Sequence, residues 1–253
     1  MPPYLYLILM KQERKAEYEM KRFLKVAILL GVATLLLCAW SLRVGAAGRT
    51  TTTNGPVRER QANLPNGVVA SADPRGSGTF RAVAAVSAND MWAVGSGLGT
   101  LTEHWNGTEW SLINSPSPGS EYNDLNGVAA VASNDVWAVG SYSNNPQLPD
   151  TNTLIEHWNG TKWSVITSPS SGELDGVAVF SATDAWTVGW YGSFETLTEH
   201  WNGTNWSVVK SPNPGGYDRL SGVAVVPGST QVWAEGIQAA STGNYQILTE
   251  LYC

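Results

Sequence analysis

The stretch TLIEHWNGTKWSVITSP, residues 153–169, decides how the chain is to be read, because nearly the same words occur twice more. TLTEHWNGTEWSLINSP covers residues 100–116, and TLTEHWNGTNWSVVKSP covers residues 196–212. Within the stretch, Leu154, Glu156 and Trp158 alternate with Thr153, Ile155 and His157, which is the period of a β-strand. Asn159-Gly160 then stands between two apolar runs, as do Asn106-Gly107 and Asn202-Gly203. Asn-Gly in that setting predicts a tight hairpin of type I′, with positive φ at both central residues.

Working outward, GVAAV (residues 127–131) is small and apolar on both faces, and DVWAVGS (residues 135–141) follows after a short turn. Each unit therefore reads as four short strands, the first one innermost. Glu103, Glu156, Glu199 and Glu250 mark the period, with spacings of 53, 43 and 51 residues. Such periods belong to blades rather than to helical repeats. The fold class expected is all-β, a β-propeller of about four four-stranded blades. Three units are complete, at residues 80–113, 125–166 and 174–209. The fourth begins at Leu220 and ends ILTELYC, one strand short. NGVVASADP (residues 66–74) resembles the missing strand, so a ring of four blades closed by residues 67–72 is expected. Completion by oligomerisation, or a truncated reading frame, is the alternative.

LNGVAAVASNDVWAVGSY followed by TLIEHWNGTKWSVI resembles a kelch-type blade of the galactose-oxidase-like superfamily, and more closely the repeats of exported bacterial propellers. The likeness runs over residues 80–253. Where kelch has a Gly-Gly doublet, this chain has Gly95-Ser96, Gly140-Ser141, Gly189-Trp190 and Gly236-Ile237. The resemblance implies the architecture, not a kelch partner.

The chain divides into residues 1–47, a leader or anchor; 48–62, a linker; and 63–253, the propeller. Lys21, Arg22 and Lys25 precede an apolar run over residues 26–42, then small residues suited to cleavage near Ala46 or Ala47. Met20 makes a better start for that segment than Met1. Uncleaved, the run is long enough to anchor the chain, so secretion and membrane attachment both stay open. Without residues 1–47 the chain keeps 8 Lys/Arg against 18 Asp/Glu, which argues against nucleic acid and anionic membrane surfaces. Cys38 and Cys253 offer no disulfide framework.

Glu-His pairs suggest metal or acid–base chemistry, but adjacent strand residues point to opposite faces, and one pair per blade scatters rather than gathers them. They read as polar ties between strands. Asn89-Asp90, Asn134-Asp135 and Thr183-Asp184 read as Asx-type turns rather than calcium ligands. The Asn-Gly-Thr triplets match the glycosylation acceptor pattern, yet the turn itself explains the Asn. No metal or cofactor is expected. A galactose-oxidase-like copper site would need a Cys–Tyr link, and a sialidase-type site several Arg where the blades have Arg81 and Arg219. A non-catalytic binding module is the expectation, with an inactive fragment or a carbohydrate-active enzyme as alternatives.

Variation gathers in the second-to-third loops and the blade connections, which a propeller places on one face. SYSNNPQLPDTN (141–152), WYGSFE (190–195) and IQAASTGNY (237–245) all differ. Tyr122, Tyr142, Asn144, Trp190, Tyr191, Phe194, Tyr217 and Tyr245 are the candidate ligand-binding residues, suited to a polysaccharide or a protein partner. The leader reading predicts that N-terminal sequencing of the secreted fraction finds a mature start near Ala47 or Gly48; full-length chain in the cytosol would refute it.

Overall fold

In the computed structural model, residues 71, 78–145, 151–239 and 244–253 are described. The leader, the linker and, apart from Ser71, the proposed closing strand lie outside them. The described residues form fifteen strands in four antiparallel sheets. Blade 1 holds β1 (Thr79–Ser87), β2 (Asp90–Ser96), β3 (Thr100–Trp105) and β4 (Trp110–Leu112). Blade 2 holds β5 (Tyr122–Ala132), β6 (Asp135–Ser143), β7 (Asn152–Trp158) and β8 (Trp163–Val165). Blade 3 holds β9 (Glu173–Ser181), β10 (Asp184–Tyr191), β11 (Glu195–Trp201) and β12 (Trp206–Val208). Blade 4 has β13 (Tyr217–Val225), β14 (Val232–Ala239) and β15 (Tyr245–Tyr252).

Each sheet is a simple meander in sequence order, and consecutive sheets pack in series: β1 on β5, β5 on β9, β9 on β13. The fold is a β-propeller. Its inner strands carry a bulge, in blade 2 between Leu125 and Gly127. That bulge brings Asp124 O to 2.0 Å from where a Cβ on Gly140 would sit, and Gly95, Gly189 and Gly236 are crowded likewise. The Gly of each second strand is thus imposed by its own inner strand.

The seams between blades are built from tryptophan. Trp92 meets Trp158 and Trp163 of the next blade at centroid distances of 4.8 and 5.2 Å, and Trp137 meets Trp201 and Trp206 at 5.1 and 5.3 Å. Trp92 and Trp137 are each only 1% exposed. Trp186 meets Tyr252, which takes the place of the first Trp in blade 4. The flanking tryptophans also face one another across the hairpin, as Trp105↔Trp110, Trp158↔Trp163 and Trp201↔Trp206.

Asn-Gly is a turn, but not the one expected. Trp105 pairs with Trp110, so the loop has four residues, and only its Gly has positive φ (93° at Gly107, 91° at Gly160, 90° at Gly203). Asn106 Oδ1 accepts from the N–H of Thr108 and of Glu109, at 2.9 and 3.0 Å. The side chain closes the loop, leaving its own backbone unstrained.

Glu and His part company as expected. His104, His157 and His200 donate from Nε2 to Asp90, Asp135 and Asp184 at 2.8, 2.8 and 2.9 Å. Those Asp therefore tie strand to strand instead of forming Asx turns; Ser87 and Ser181 accept the turn N–H groups of Asn89 and Thr183. Each Glu points the other way, toward the preceding blade. Ser115 donates to Glu156 at 2.5 Å, Ser168 to Glu199 at 2.8 Å and Ser211 to Glu250 at 2.6 Å. Ser71 donates to Glu103 at 2.6 Å, so it stands where the serine of a preceding blade would.

Among the described residues the series of seams runs from blade 1 to blade 4, and on the outer faces of those two blades Val83 is 65% and Trp233 47% exposed. The expected pairing of residues 67–72 beside β15 lies, apart from Ser71, outside the described residues.

Burial pushes the Glu156 carboxyl up to about 8, with the Ser115 hydroxyl opposing only part of that shift. The unfolded carboxyl titrates near 4.5. Between those values the folded chain holds a proton that the unfolded chain has released, so stability declines as pH rises through the window. Burial raises Glu199 in the same direction. Glu156→Gln, which mimics the neutral acid, should flatten part of the fall in melting temperature from pH 5 to pH 8. It should also raise the pH 8 value by several degrees, at about 2–4 °C per kcal/mol for a domain of this size. Scanning calorimetry across that range checks it; an unchanged slope refutes it.

Candidate functional site

The blade connections fold back along the start of each third strand, and this places them beside the second-to-third loops. Thr100 N donates to Ser117 Oγ at 3.0 Å, Thr196 N to Asn213 Oδ1 at 2.6 Å, and Thr153 Oγ1 to Ser170 O at 2.7 Å. The next blade joins in, since Asp218 N donates to Phe194 O at 2.8 Å. Variable segments from neighbouring blades thus share one face on a fixed backbone.

Four of the candidate residues form a continuous aromatic row across blades 3 and 4. Trp190 stacks on Phe194 at 4.7 Å, Phe194 on Tyr217 at 4.1 Å, and Tyr217 meets Tyr245 edge-on at 5.9 Å. Phe194 holds φ at 70°, the left-handed region, and is the one non-glycine to do so among the described residues. That conformation costs roughly 1–2 kcal/mol for an L-residue. Two stacks, at about 0.5–1.5 kcal/mol each beyond area burial, together with the bond to Asp218 N, offset it. Phe194 therefore spends both ring faces on its neighbours, and the row is a support. Tyr122, Asn144, Tyr191 and Tyr245 are the exposed members of the candidate set. The Tyr191 hydroxyl is held above its usual range by its bond to Glu195, then by burial and the carboxylate charge.

Beside the row lies a hollow of about 400 Å³, between the β6–β7 loop and the blade 3 connection. Asn144, Asn145, Thr151 and Asn152 of blade 2, Ser171 and Gly172 of the connection, and Trp190 and Gly192 of blade 3 line it. Tyr122 braces it from behind, its hydroxyl donating to Thr151 Oγ1 at 3.1 Å. Asn144 Oδ1 accepts from Ser120 N at 3.0 Å. Tyr142 sits elsewhere, packed against the core cluster between blades 1 and 2. So the structure gathers Asn144 and Trp190 at one hollow, with Tyr122 bracing it. Phe194, Tyr217 and Tyr245 continue the row from Trp190, and Tyr142 is left out. The sequence reading missed Asn145, Thr151, Asn152 and Ser171; the amide-rich loop Asn144-Asn145 and the strand start at Asn152 were the available signals.

A second polar cluster follows the inner strands. Arg81 binds Asp124 at 3.1 Å, Asn126 Nδ2 donates to Glu173 at 3.3 Å, and Arg219 binds Asp175 through two bonds of 2.9 and 2.6 Å. Burial raises Glu173 and Asp175 against the pull of Arg219, the neighbouring Asp175 adding to the shift at Glu173. These groups tie one inner strand to the next. Arg81 and Arg219 are thus occupied in holding seams.

No family profile matches the chain, and no curated protein matches it. Among solved structures, the chain is similar to YCF48 bound to a D1 peptide, with 17% identity and a TM-score of 0.41 over 69% of this chain and 53% of that one. It is similar to a fungal lectin from Aleuria aurantia, a six-bladed β-propeller with a fucose recognition mode, with 13% identity and a TM-score of 0.43 over 69% and 58%. A third is YCF48 from Cyanidioschyzon merolae, at 14% identity and a TM-score of 0.39 over 67% and 56%. The chain spans little more than half the length of each of these chains.

The support role of Phe194 gives a direct test. Phe194→Gly relieves the backbone but removes both stacks, so urea unfolding should show a net loss of about 1–2 kcal/mol. Phe194→Tyr should be nearly neutral. A glycine variant as stable as the parent would show that the row does not hold the loops.

Proposed function

We propose that the chain is a non-catalytic, exported binding module that takes a carbohydrate chain on its variable-loop face. The observation that carries this is that Trp190 lines one hollow together with Asn144, Asn145 and Asn152. A sugar offers a flat apolar face and a rim of hydroxyls, which an indole ring and side-chain amides complement. Residues 26–42 supply either the cleaved leader or a membrane tether, and the repeats belong with the kelch-like, galactose-oxidase-like propellers.

A protein partner is the second reading, favoured by Tyr245, 65% exposed, with Ile247 exposed on the same strand. A glycan array separates the two. The parent chain should give signals that fall at least tenfold in Trp190→Ala and in Asn145→Ala, and less in Tyr245→Ala. No glycan signal, with a partner recovered whose binding depends on Tyr245, moves the function to protein recognition. Turnover of any bound sugar would overturn the non-catalytic reading.

A further inference from the structure

The hairpin turns of blades 1 to 3 leave one group unused. Asn106, Asn159 and Asn202 each close their loop through Oδ1, which accepts the N–H groups two and three residues on at 2.9 to 3.1 Å. Those bonds fix the plane of the amide. Its nitrogen, Nδ2, makes no hydrogen bond among the described residues. The turn accounts for the oxygen of each Asn and leaves the nitrogen over.

All three Asn are exposed on four-residue loops, and so are Thr108, Thr161 and Thr204 two places on. Thr108 and Thr161 also donate from Oγ1 to the same Oδ1, at 2.7 Å. Donors gathered on a carbonyl oxygen draw electron density from the amide nitrogen and ease the loss of its proton. Asn-x-Thr is the pattern at which sugar is attached to exported chains. The loop closes on contacts two and three residues apart, so it is on offer once the hairpin forms, in about 1–10 μs.

A fourth match to the pattern, Asn205-Trp206-Ser207, is built differently. Asn205 Nδ2 donates to Trp206 O and Ser207 Oγ to His200 O, both at 3.4 Å. Amide and hydroxyl are thus bonded to backbone carbonyls and not to each other. Trp206 between them opens β12 and is 3% exposed in the seam, so this tripeptide cannot leave the sheet without emptying the joint.

We propose that Asn106, Asn159 and Asn202 are attachment sites for N-linked sugar chains, and that Asn205 is not. The donor is a sugar carried on a lipid diphosphate, presented by a transferase outside the cytoplasm. Nδ2 forms a bond to the anomeric carbon, the bond from that carbon to the diphosphate oxygen breaks, and the lipid diphosphate leaves with the electron pair. Nδ2 gives up one of its two protons, while Oδ1 keeps every bond that closes the loop. The turn needs no rearrangement. These hairpins lie at the opposite ends of the third strands from the variable loops, so the attached sugar leaves the carbohydrate hollow open. The proposal rests on the export reading and not on that hollow.

The test is peptide mass spectrometry on the full chain from its own cells, with medium, membrane and cytosol taken separately. Exported chain should carry sugar on Asn106, Asn159 and Asn202. Enzymatic release in heavy-oxygen water turns each bearing Asn into labelled Asp, and fragmentation then separates Asn202 from Asn205. Thr108→Ala should lose the sugar at Asn106 alone, and Thr108→Ser should keep it, with melting temperature reporting that both variants fold. Exported chain bare at any of the three positions overturns the proposal and leaves the export reading standing. Cytosolic, unmodified chain overturns both. Sugar on Asn205, or sugar on Asn106 that survives Thr108→Ala, also overturns the assignment.

Discussion

The insertion of one tryptophan per blade into the outer hairpin of the next is the constraint on which the rest depends. Burying an indole removes 150–250 Å² from water, at most about 4–6 kcal/mol at the usual coefficient. Trp92 and Trp137 bury their indole N–H without a partner, which costs about 1–3 kcal/mol each. Area wins, and the seam holds although its polar atoms are imperfectly satisfied. Other features follow from making room for that ring. The acceptor hairpin must bring two rings across from one another, which fixes the register Trp158↔Trp163 and with it the four-residue Asn-Gly loop. The histidine lies against the inserted ring, 4.3 Å away for Trp137 and His157, and its Nε2 is anchored on Asp135 so that it stays there.

Much of this was legible in the sequence because it is local. Alternation within TLIEHW gave the strand, Asn-Gly gave the reversal, and the opposed faces of Glu and His followed from the strand period alone. The type of turn was not legible: Asn106 has two ways to serve a tight loop, through its own positive φ or through its side-chain oxygen, and the residue name is the same for both. Partners across a seam were also hidden. Ser115 reaches Glu156 across 41 positions of sequence, although the recurrence of Ser-Pro after each repeat was a trace of it.

The site was harder still. Aromatic residues in variable loops were visible as a set, but composition cannot say which rings stack on each other and which face solvent. Phe194 and Tyr217 belong to the first kind, and the exposed Tyr245 to the second. The hollow depends on side chains from two blades meeting, Asn144 and Asn152 from one and Trp190 from the next. No single repeat contains it. That is the general reason why a propeller reveals its scaffold in the sequence and keeps its binding surface for the assembled structure.

Nearest-neighbour packing also explains why the number of blades is weakly encoded. In a repeat array each unit contacts only its neighbours, so the energy of one seam is nearly independent of how many follow. The sequence specifies the joint sharply, through Trp, Val, Leu and the Trp pair, and repeats the specification. Closure adds a global condition that no single joint can state: the rotations at all seams must sum to a full turn. A chain of four blades can meet it alone only if each seam turns by about a quarter of a circle, the sharp end of the usual range of blade numbers. Among the described residues the seams of blades 1 to 4 are built by the same local rules, with Tyr252 in place of the first Trp at the last seam and Glu235 standing where the earlier second strands have Val94, Val139 and Val188.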